Sequence, residues 1–366
     1  MTASIMALTL RKPQRRSTGP RGRSTVVGLD IEPGRVVAAE VSVNGNVCLQ
    51  RVASADLSVG VVRDGEVVDI EAVSTALKQL WSDHKGLGRE VRIGIANAKI
   101  VVRTVDVPPV TDPAQIDAAV RQVAADELPM PMESAVLDYE PTGIVDTANG
   151  PRQRVVLIAA RKEMVEAVVA AATGAGLKPR GVDLSAFAMI RVLGGGRPDS
   201  ALYLSVGGLA NLAVVVDGIC LFTRVTGAGL EGMAIELAER RSLTLEHARM
   251  WLRHVGFESH LAEVDGDPAI VADARTVLVD GTRRLASEVR ASLEFHQTQA
   301  VSGAEVERAI LTGAAVAVPG FADALAAELG MPVETRSVTA ADNVAKPSEL
   351  AGMTVAAGLA IAEVSA

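Results

Sequence analysis

The sequence contains few of the residues that build disulfide frameworks, zinc sites or hydrolase active sites. Its 366 residues include only two cysteines, Cys48 and Cys220, and five histidines. No CxxC, HExxH or GxSxG motif occurs. Each cysteine lies in an apolar, strand-like run, where a free thiol acts as a small hydrophobic side chain. These absences argue against zinc and serine hydrolases and indicate a reducing compartment.

An excess of positive charge and a long apolar run are also missing. The formal net charge is -8 and the sequence pI is near 5.3, whereas a general nucleic-acid binder needs a positive surface to displace counterions. The longest uncharged stretches span 200–216 and 350–362; the first reads as two strands around a glycine loop, and the second is too short to cross about 30 Å of hydrocarbon. We therefore expect no nucleic-acid partner and no transmembrane helix.

The first 24 residues are predicted to form a disordered basic tail. They hold six Lys or Arg residues among Pro, Ser, Thr and Gly, a mixture that buries too little apolar surface to become ordered. Apolar residues precede the basic cluster, the reverse of a secretory signal, which favours the cytoplasm. Two interpretations stay open for the tail: a solvated extension, or electrostatic attachment to an anionic membrane face or acidic partner.

The rest of the sequence is apolar enough for a large core, with 49% hydrophobic residues, and its length predicts two or more domains. A unit of strand, loop, strand, glycine turn and strand occurs twice, because β-branched runs are bounded by Gly and Asn signals. The two units are predicted at 25–30, 35–43 and 47–52, and at 201–205, 211–216 and 219–225.

Helices and further strands fill the remaining chain. Apolar spacing and caps predict helices at 71–84, 111–129, 162–175, 230–241, 244–255 and 268–299. Further strands are predicted at 91–96, 100–106, 135–141 and 154–160. Because strands and helices alternate throughout, the predicted class is α/β with mixed sheets.

An ordered series of short segments resembles one known family. It includes 27–31 (VGLDI), 126–133 (DELPMPME), 156–163 (VLIAARKE), 221–224 (LFTR), 292–295 (SLEF) and 310–313 (ILTG). Together with the two strand units, this order resembles the PilM family of type IV pilus assembly proteins and its relative FtsA, within the actin, sugar-kinase and Hsp70 superfamily. The resemblance extends from about residue 25 to the C-terminus.

The resemblance implies an α/β, actin-like (ribonuclease H-like) fold of two lobes with an inserted FtsA/PilM-type subdomain. We expect the first part of lobe 1 at 25–96, the insertion at 97–180, and the remainder of lobe 1 with lobe 2 at 181–366. It further implies a cytoplasmic scaffold that binds the cytoplasmic N-terminal peptide of a PilN-like inner-membrane protein. Through that protein it would meet a PilO-like protein and the pilus motor. Homo-oligomerisation stays open.

The same resemblance implies that ATP and Mg lie between the lobes. In such proteins the phosphates are held by backbone N–H groups of two glycine-containing hairpin loops. The matching residues here are Asp30, which would hold hydrated Mg, Gly34 and Arg35 in the first loop, Gly207 and Gly208 in the second, and Gly313 on the adenosine side.

All three loops depart from the family pattern. Ser205 stands where a second Asp is expected, Glu32 places a carboxylate near the phosphates, and Pro33 removes an N–H donor. Phosphoryl transfer depends on such charged groups. The sequence therefore predicts no catalytic residue and little or no hydrolysis. ATP binding stays open against purely structural roles for Asp30 and for the glycine pair.

For the partner peptide, the resemblance implies a groove near the inserted subdomain. Leu128, Pro129, Met130 and Pro131 lie at its expected edge, and Pro and Met suit an adaptable apolar contact. The alternative is an ordinary connection from a helix to a strand. Two other functions also stay open: a small-molecule kinase of the actin superfamily, disfavoured by Ser205, and an FtsA-like division protein, disfavoured because 353–364 resembles a last core helix.

Overall fold

Strands and helices alternate along the chain in the computed structural model, which describes residues 26–44, 46–110, 112–148, 150–194, 200–299 and 306–361. The predicted basic tail lies outside the described residues. The strands are β1 (Val27–Glu32), β2 (Arg35–Asn44), β3 (Asn46–Asp56), β4 (Val62–Arg63), β5 (Glu66–Val67), β6 (Glu90–Ile95), β7 (Val101–Val107), β8 (Ala135–Thr147), β9 (Gly150–Arg161), β10 (Lys178–Leu184), β11 (Ala201–Val206), β12 (Ala210–Val216), β13 (Ile219–Thr226), β14 (Ala309–Thr312), β15 (Val333–Thr335) and β16 (Thr339–Ala340). The α-helices are α1 (Ile70–Asp83), α2 (Pro113–Glu127), α3 (Lys162–Gly174), α4 (Ser185–Leu193), α5 (Leu230–Arg241), α6 (Leu245–Val255), α7 (Pro268–Gln299), α8 (Phe321–Leu329) and α9 (Thr354–Leu359).

The two predicted strand units form the centres of two separate sheets. Within the described residues, the first sheet has the order β10-β6-β1-β2-β3-β16 and the second has the order β13-β12-β11-β14-β15. In each sheet, three consecutive strands form an antiparallel meander. The first strand of the meander also pairs with a parallel strand: β1 with β6, and β11 with β14. Asp217 and Gly218, with φ of 51° and 79°, supply the left-handed pair that a tight β12–β13 hairpin requires.

Helices cover each sheet and create two cores. Helix α1 buries Val73, Leu77, Leu80 and Trp81 against the first sheet, as its spacing predicts, and Asp69 caps it by accepting from the backbone N of Ala72 at 2.9 Å. Helices α5 to α8 pack on the second sheet around a core of Leu, Val and Ala side chains. The core of the first sheet also includes Tyr203, Val215 and Ile310 from the second sheet, so apolar packing joins the two halves of the molecule.

A third sheet, of the order β7-β9-β8, carries helix α2. Its small core includes Val105, Val107, Val120, Ala124 and Leu157. Helix α3 instead packs into the core of the first sheet. The separate sheet thus covers residues 101–161, and the predicted domain boundaries at 97 and 180 stay a prediction.

Helices α4 and α8 are both absent from the predicted elements. Seven of the nine residues of α4 are buried, so it shows no alternation between an apolar and a polar face. Among the described residues, no helix is both long enough and apolar enough to cross a bilayer.

Candidate functional site

The β1–β2 turn of the first sheet faces the β11–β12 loop of the second. Between them lies a cavity of about 340 Å³, which we call the cleft. Pro33 and Gly34 form the β1–β2 turn, and Gly34 has the φ of 80° that a type II turn places at its second central position. The structure brings all the residues that the resemblance implies for nucleotide to this cavity: Asp30, Gly34, Arg35, Gly207, Gly208 and Gly313.

The Glu32 side chain reaches from the first loop into the second. Its Oε2 accepts a hydrogen bond from the backbone N of Gly208 at 3.0 Å. A Cβ atom added to Gly207 would overlap the Glu32 carboxylate, and one added to Gly208 would overlap the carbonyl oxygen of Pro33. Gly208 is therefore required for close approach of the two loops, and Gly207 leaves space for the Glu32 carboxylate.

Three amide groups of the implied nucleotide loops already have protein acceptors. The N–H of Gly207 donates to the carbonyl of Leu209 at 2.9 Å, and that of Gly313 donates to Ala351 at 3.0 Å. The N–H of Gly208 donates to Glu32, and Pro33 has none. Because a phosphate would need the Gly207 and Gly208 donors and would meet the Glu32 carboxylate beside them, the loops do not fit a nucleotide phosphate in this arrangement.

An ion pair from the second lobe contacts the first loop. Arg249 on α6 makes two hydrogen bonds to Glu231 on α5, at 2.9 and 2.7 Å, and its Nη2 also donates to the carbonyl of Gly34 at 3.4 Å. Asp56 lies 3.7 Å from its Nη1. Arg249 thus joins the two lobes at the same point as Glu32.

Asp30 lies beneath this contact and is 7% exposed. The hydroxyl of Ser185 donates to its Oδ1 at 3.3 Å. Burial, and secondarily the nearby Glu32, raise the pKa of Asp30 well above its usual value, which favours the neutral form. No group of three His, Cys, Asp or Glu side chains suited to a metal occurs among the residues that the structure describes. Mg binding by Asp30 stays a prediction.

Ser205 is buried at the end of β11. It supplies no charge where a kinase of this fold would need a second carboxylate.

A second and larger cavity, of about 1250 Å³, lies between the insertion sheet and the second lobe. We call it the groove. Strand β7 lines one side and β13 the other, and each is the last described strand of its own sheet. An edge strand presents N–H and C=O groups that can pair with another chain. The groove is therefore bounded by two sheet edges.

Apolar and charged side chains share the groove. The rings of Phe222 and Phe295 lie 6.0 Å apart, and Phe295 is 51% exposed. Arg103 pairs with Glu127 at 2.9 Å. Asn211 also lines the cavity and is only 5% exposed, and its Oδ1 has no hydrogen-bond partner within the described chain.

The segment predicted to contact a partner lies just after α2. Glu127, the last residue of that helix, lines the groove, whereas the following residues are not part of its lining. Leu128 packs against the small core of the insertion, Pro129 and Pro131 are exposed, and Met130 is partly buried. Their role in partner binding stays a prediction.

Sequence reasoning missed Glu231 and Arg249, because only the fold brings them to Gly34. It also assigned no role to Phe222 and Phe295. The signal for the two phenylalanines was present, since both fall in short segments that carry the family resemblance, 221–224 and 292–295.

The two sheets and the cleft between them define a two-lobed protein of the actin-like class. The chain is similar to the solved structure of the ethanolamine utilization protein EutJ from Carboxydothermus hydrogenoformans, with 16% identity, TM-score 0.52 and coverage of 92% of this chain and 88% of that one. It is also similar to MreB5 of Spiroplasma citri bound to ADP, with 13% identity, TM-score 0.50 and coverage of 91% and 94%. The predicted actin-like α/β fold is confirmed.

The chain belongs to the PilM family: the model for type IV pilus assembly protein PilM matches residues 28–363. It is similar to a chain of a solved PilM-PilN type IV pilus biogenesis complex, with 27% identity, TM-score 0.74 and coverage of 93% of this chain and 98% of that one. The resemblance inferred from the sequence is confirmed, and neither the kinase nor the division-protein alternative is favoured.

Proposed function

We propose that this chain is a scaffold of type IV pilus assembly that binds the cytoplasmic N-terminal peptide of a PilN-like inner-membrane protein in the groove. The observation that carries the proposal is an open cavity of about 1250 Å³ that residues of two edge strands, β7 and β13, both line. Similarity to a chain solved as part of a PilM-PilN complex supports the choice of partner.

An extended peptide suits this geometry. Strand β7 has seven residues, so its edge is roughly 20 Å long and can pair with several peptide residues by strand addition. Phe222 and Phe295 would receive an apolar side chain. Arg224 is exposed on β13, and within the described residues it makes no ion pair, which leaves it available to an acidic group of the peptide.

The proposed partner also sets the location of the scaffold. Through the peptide, the chain would be held at the inner face of the cytoplasmic membrane, and through the PilN-like protein it would act on a PilO-like protein and the pilus motor. The segment from Leu128 to Pro131 would form the rim of the groove beyond Glu127. None of these contacts requires nucleotide hydrolysis.

The test is calorimetric titration with a synthetic peptide of the cytoplasmic N-terminus of a PilN-like protein, without added nucleotide. Thr223 lines the groove, and we expect Thr223→Arg to weaken binding at least about tenfold, because a long charged side chain fills the space between the strands. Ile144→Arg is the matched control, since Ile144 is 58% exposed on β8 and does not line the groove.

Hydrogen exchange locates the peptide independently. Strand addition should slow amide exchange in residues 101–107 and 219–226. Equal affinity of the wild type and Thr223→Arg, or protection elsewhere with none in these two strands, would contradict the groove as the binding site. Absence of peptide binding would contradict the proposed partner.

A further inference from the structure

We propose that Glu32 takes the place of a nucleotide phosphate and joins the two lobes without nucleotide. The contact, which we call the interlobe latch, consists of Glu32, Gly34, Gly208, Glu231 and Arg249. This inference concerns the cleft alone and does not depend on peptide binding in the groove.

The first step is the position of the Glu32 carboxylate. A phosphate in a cleft of this kind is held by backbone N–H groups of a glycine loop. Here the Gly208 N–H points at Glu32 Oε2, 3.0 Å away, although the two residues are 176 positions apart in sequence. A carboxylate oxygen is an anionic acceptor, as a phosphate oxygen is, so it satisfies the same donor.

The second step is that the loop is shaped around this side chain. A Cβ on Gly207 would displace the Glu32 carboxylate from its present position, and a Cβ on Gly208 would overlap the backbone carbonyl of Pro33. The other side of Gly208 is also closed, since a Cβ on Gly229 would overlap the Gly208 carbonyl. Close packing on both sides leaves the loop matched to a protein carboxylate.

The third step is the charge around Glu32. Arg249 is held by Glu231 at 2.7 Å and donates to the Gly34 carbonyl, so it ties the turn that follows Glu32 to the second lobe. Burial raises the pKa of Glu32 overall, and the nearby Glu231 acts in the same direction, while the Gly208 hydrogen bond and the charge of Arg35 favour the ionised carboxylate. The carboxylate is thus partly compensated by groups that an incoming phosphate would otherwise require.

The experiment measures hydrogen exchange of the segment containing Gly207 and Gly208 in the full chain. In the wild type we expect the Gly208 amide to be protected without nucleotide, and about 1 mM Mg-ATP, a concentration at the upper end of usual substrate affinities, to add no protection. In Glu32→Ala we expect exchange at this amide to be about tenfold faster, because the acceptor is lost.

Two further variants separate the latch from general destabilisation. Glu32→Gln keeps an oxygen acceptor and should exchange within about threefold of the wild type. Glu71→Ala removes an exposed carboxylate from α1 and should leave exchange at Gly208 unchanged. Added protection of this segment by Mg-ATP in the wild type would overturn the proposal. Equal exchange of the Gly208 amide in the wild type and in Glu32→Ala would also overturn it. If Glu32→Ala does not fold, the proposal would be overturned if the Gly208 amide of Glu32→Gln exchanged as fast as it does in the unfolded chain.

Discussion

The cleft and the groove are both cavities between parts of the same chain, but they differ in whether the backbone groups that border them already have hydrogen-bond partners. In the cleft, the backbone donors of Gly207, Gly208 and Gly313 all have protein acceptors, and the space is about 340 Å³. In the groove, two sheet edges border about 1250 Å³. Unpaired edges attract a further strand, whereas satisfied donors do not attract an anion. This difference supports the proposals of partner binding in the groove and of lobe closure in the cleft.

The strongest test of the cleft is removal of Arg249. Glu231 is 8% exposed, so Arg249→Ala leaves a buried carboxylate without its cation, which we expect to lower the free energy of unfolding by about 3 kcal/mol. Urea denaturation measures the change. Arg121→Ala breaks an exposed pair with Asp117 and should lower it by less than about 0.5 kcal/mol. Similar effects of the two variants would mean that the Arg249–Glu231 pair contributes no more to stability than an exposed pair.

The next largest effect concerns the groove. Phe295→Ala should weaken peptide binding by about 2 kcal/mol, roughly thirtyfold, because an aromatic side chain at an interface often carries much of the binding energy. The free energy of unfolding of Phe295→Ala should stay close to that of the wild type, since about half of the Phe295 side chain is exposed. Ile144→Ala removes an equally exposed apolar side chain outside the groove. Calorimetry in which both variants bind like the wild type would remove Phe295 from the site.

The raised pKa of Asp30 gives a smaller, pH-dependent effect. An acid that binds its proton more tightly in the folded state adds stability below its unfolded pKa, and this contribution is lost as pH rises through the folded pKa. Relative to Asp30→Asn, the wild type should therefore lose up to about 1.4 kcal/mol per pH unit across that window, which begins near the ordinary value of 3.8. Free energies of unfolding measured for both proteins from about pH 4 upwards test this, since the loss begins near that pH. Parallel curves for the two proteins would show that Asp30 is not perturbed.

The smallest expected effect concerns the reactivity of the two cysteines, because their labelling leaves the fold unchanged. Burial raises the pKa of the Cys220 thiol on β13 to about 12, whereas Cys48 on β3 is partly exposed. Iodoacetamide reacts with the thiolate, so mass spectrometry should find Cys48 modified well before Cys220. Bound peptide should not accelerate modification of Cys220, since strand addition covers β13 and does not open it. Rapid labelling of Cys220 in the native protein would show that this strand opens readily.

Much of the fold follows from local patterns, and so can be predicted from the sequence. The bounds of helix α5 agree with the predicted 230–241, and α7 spans the predicted 268–299. The same patterns did not predict helix α4 or residues 142–147 of β8. Helix α4 is buried almost all round, and residues 142–147 of β8 are mostly half-buried or exposed without regular alternation. Their structure depends on which neighbours cover them.

The candidate sites divide in the same way. The two strand units, the family, and the departures of Glu32, Pro33 and Ser205 from a nucleotide site can be predicted from the sequence, because each is visible in a short segment. Three contacts could be found only in the folded chain: Glu32 with the Gly208 amide, Arg249 with Gly34, and β7 with β13 at one groove. The physical reason is distance along the chain: hydrogen bonds and sheet edges act over a few ångströms in space, and residues more than 100 positions apart reach that range only after the lobes have packed.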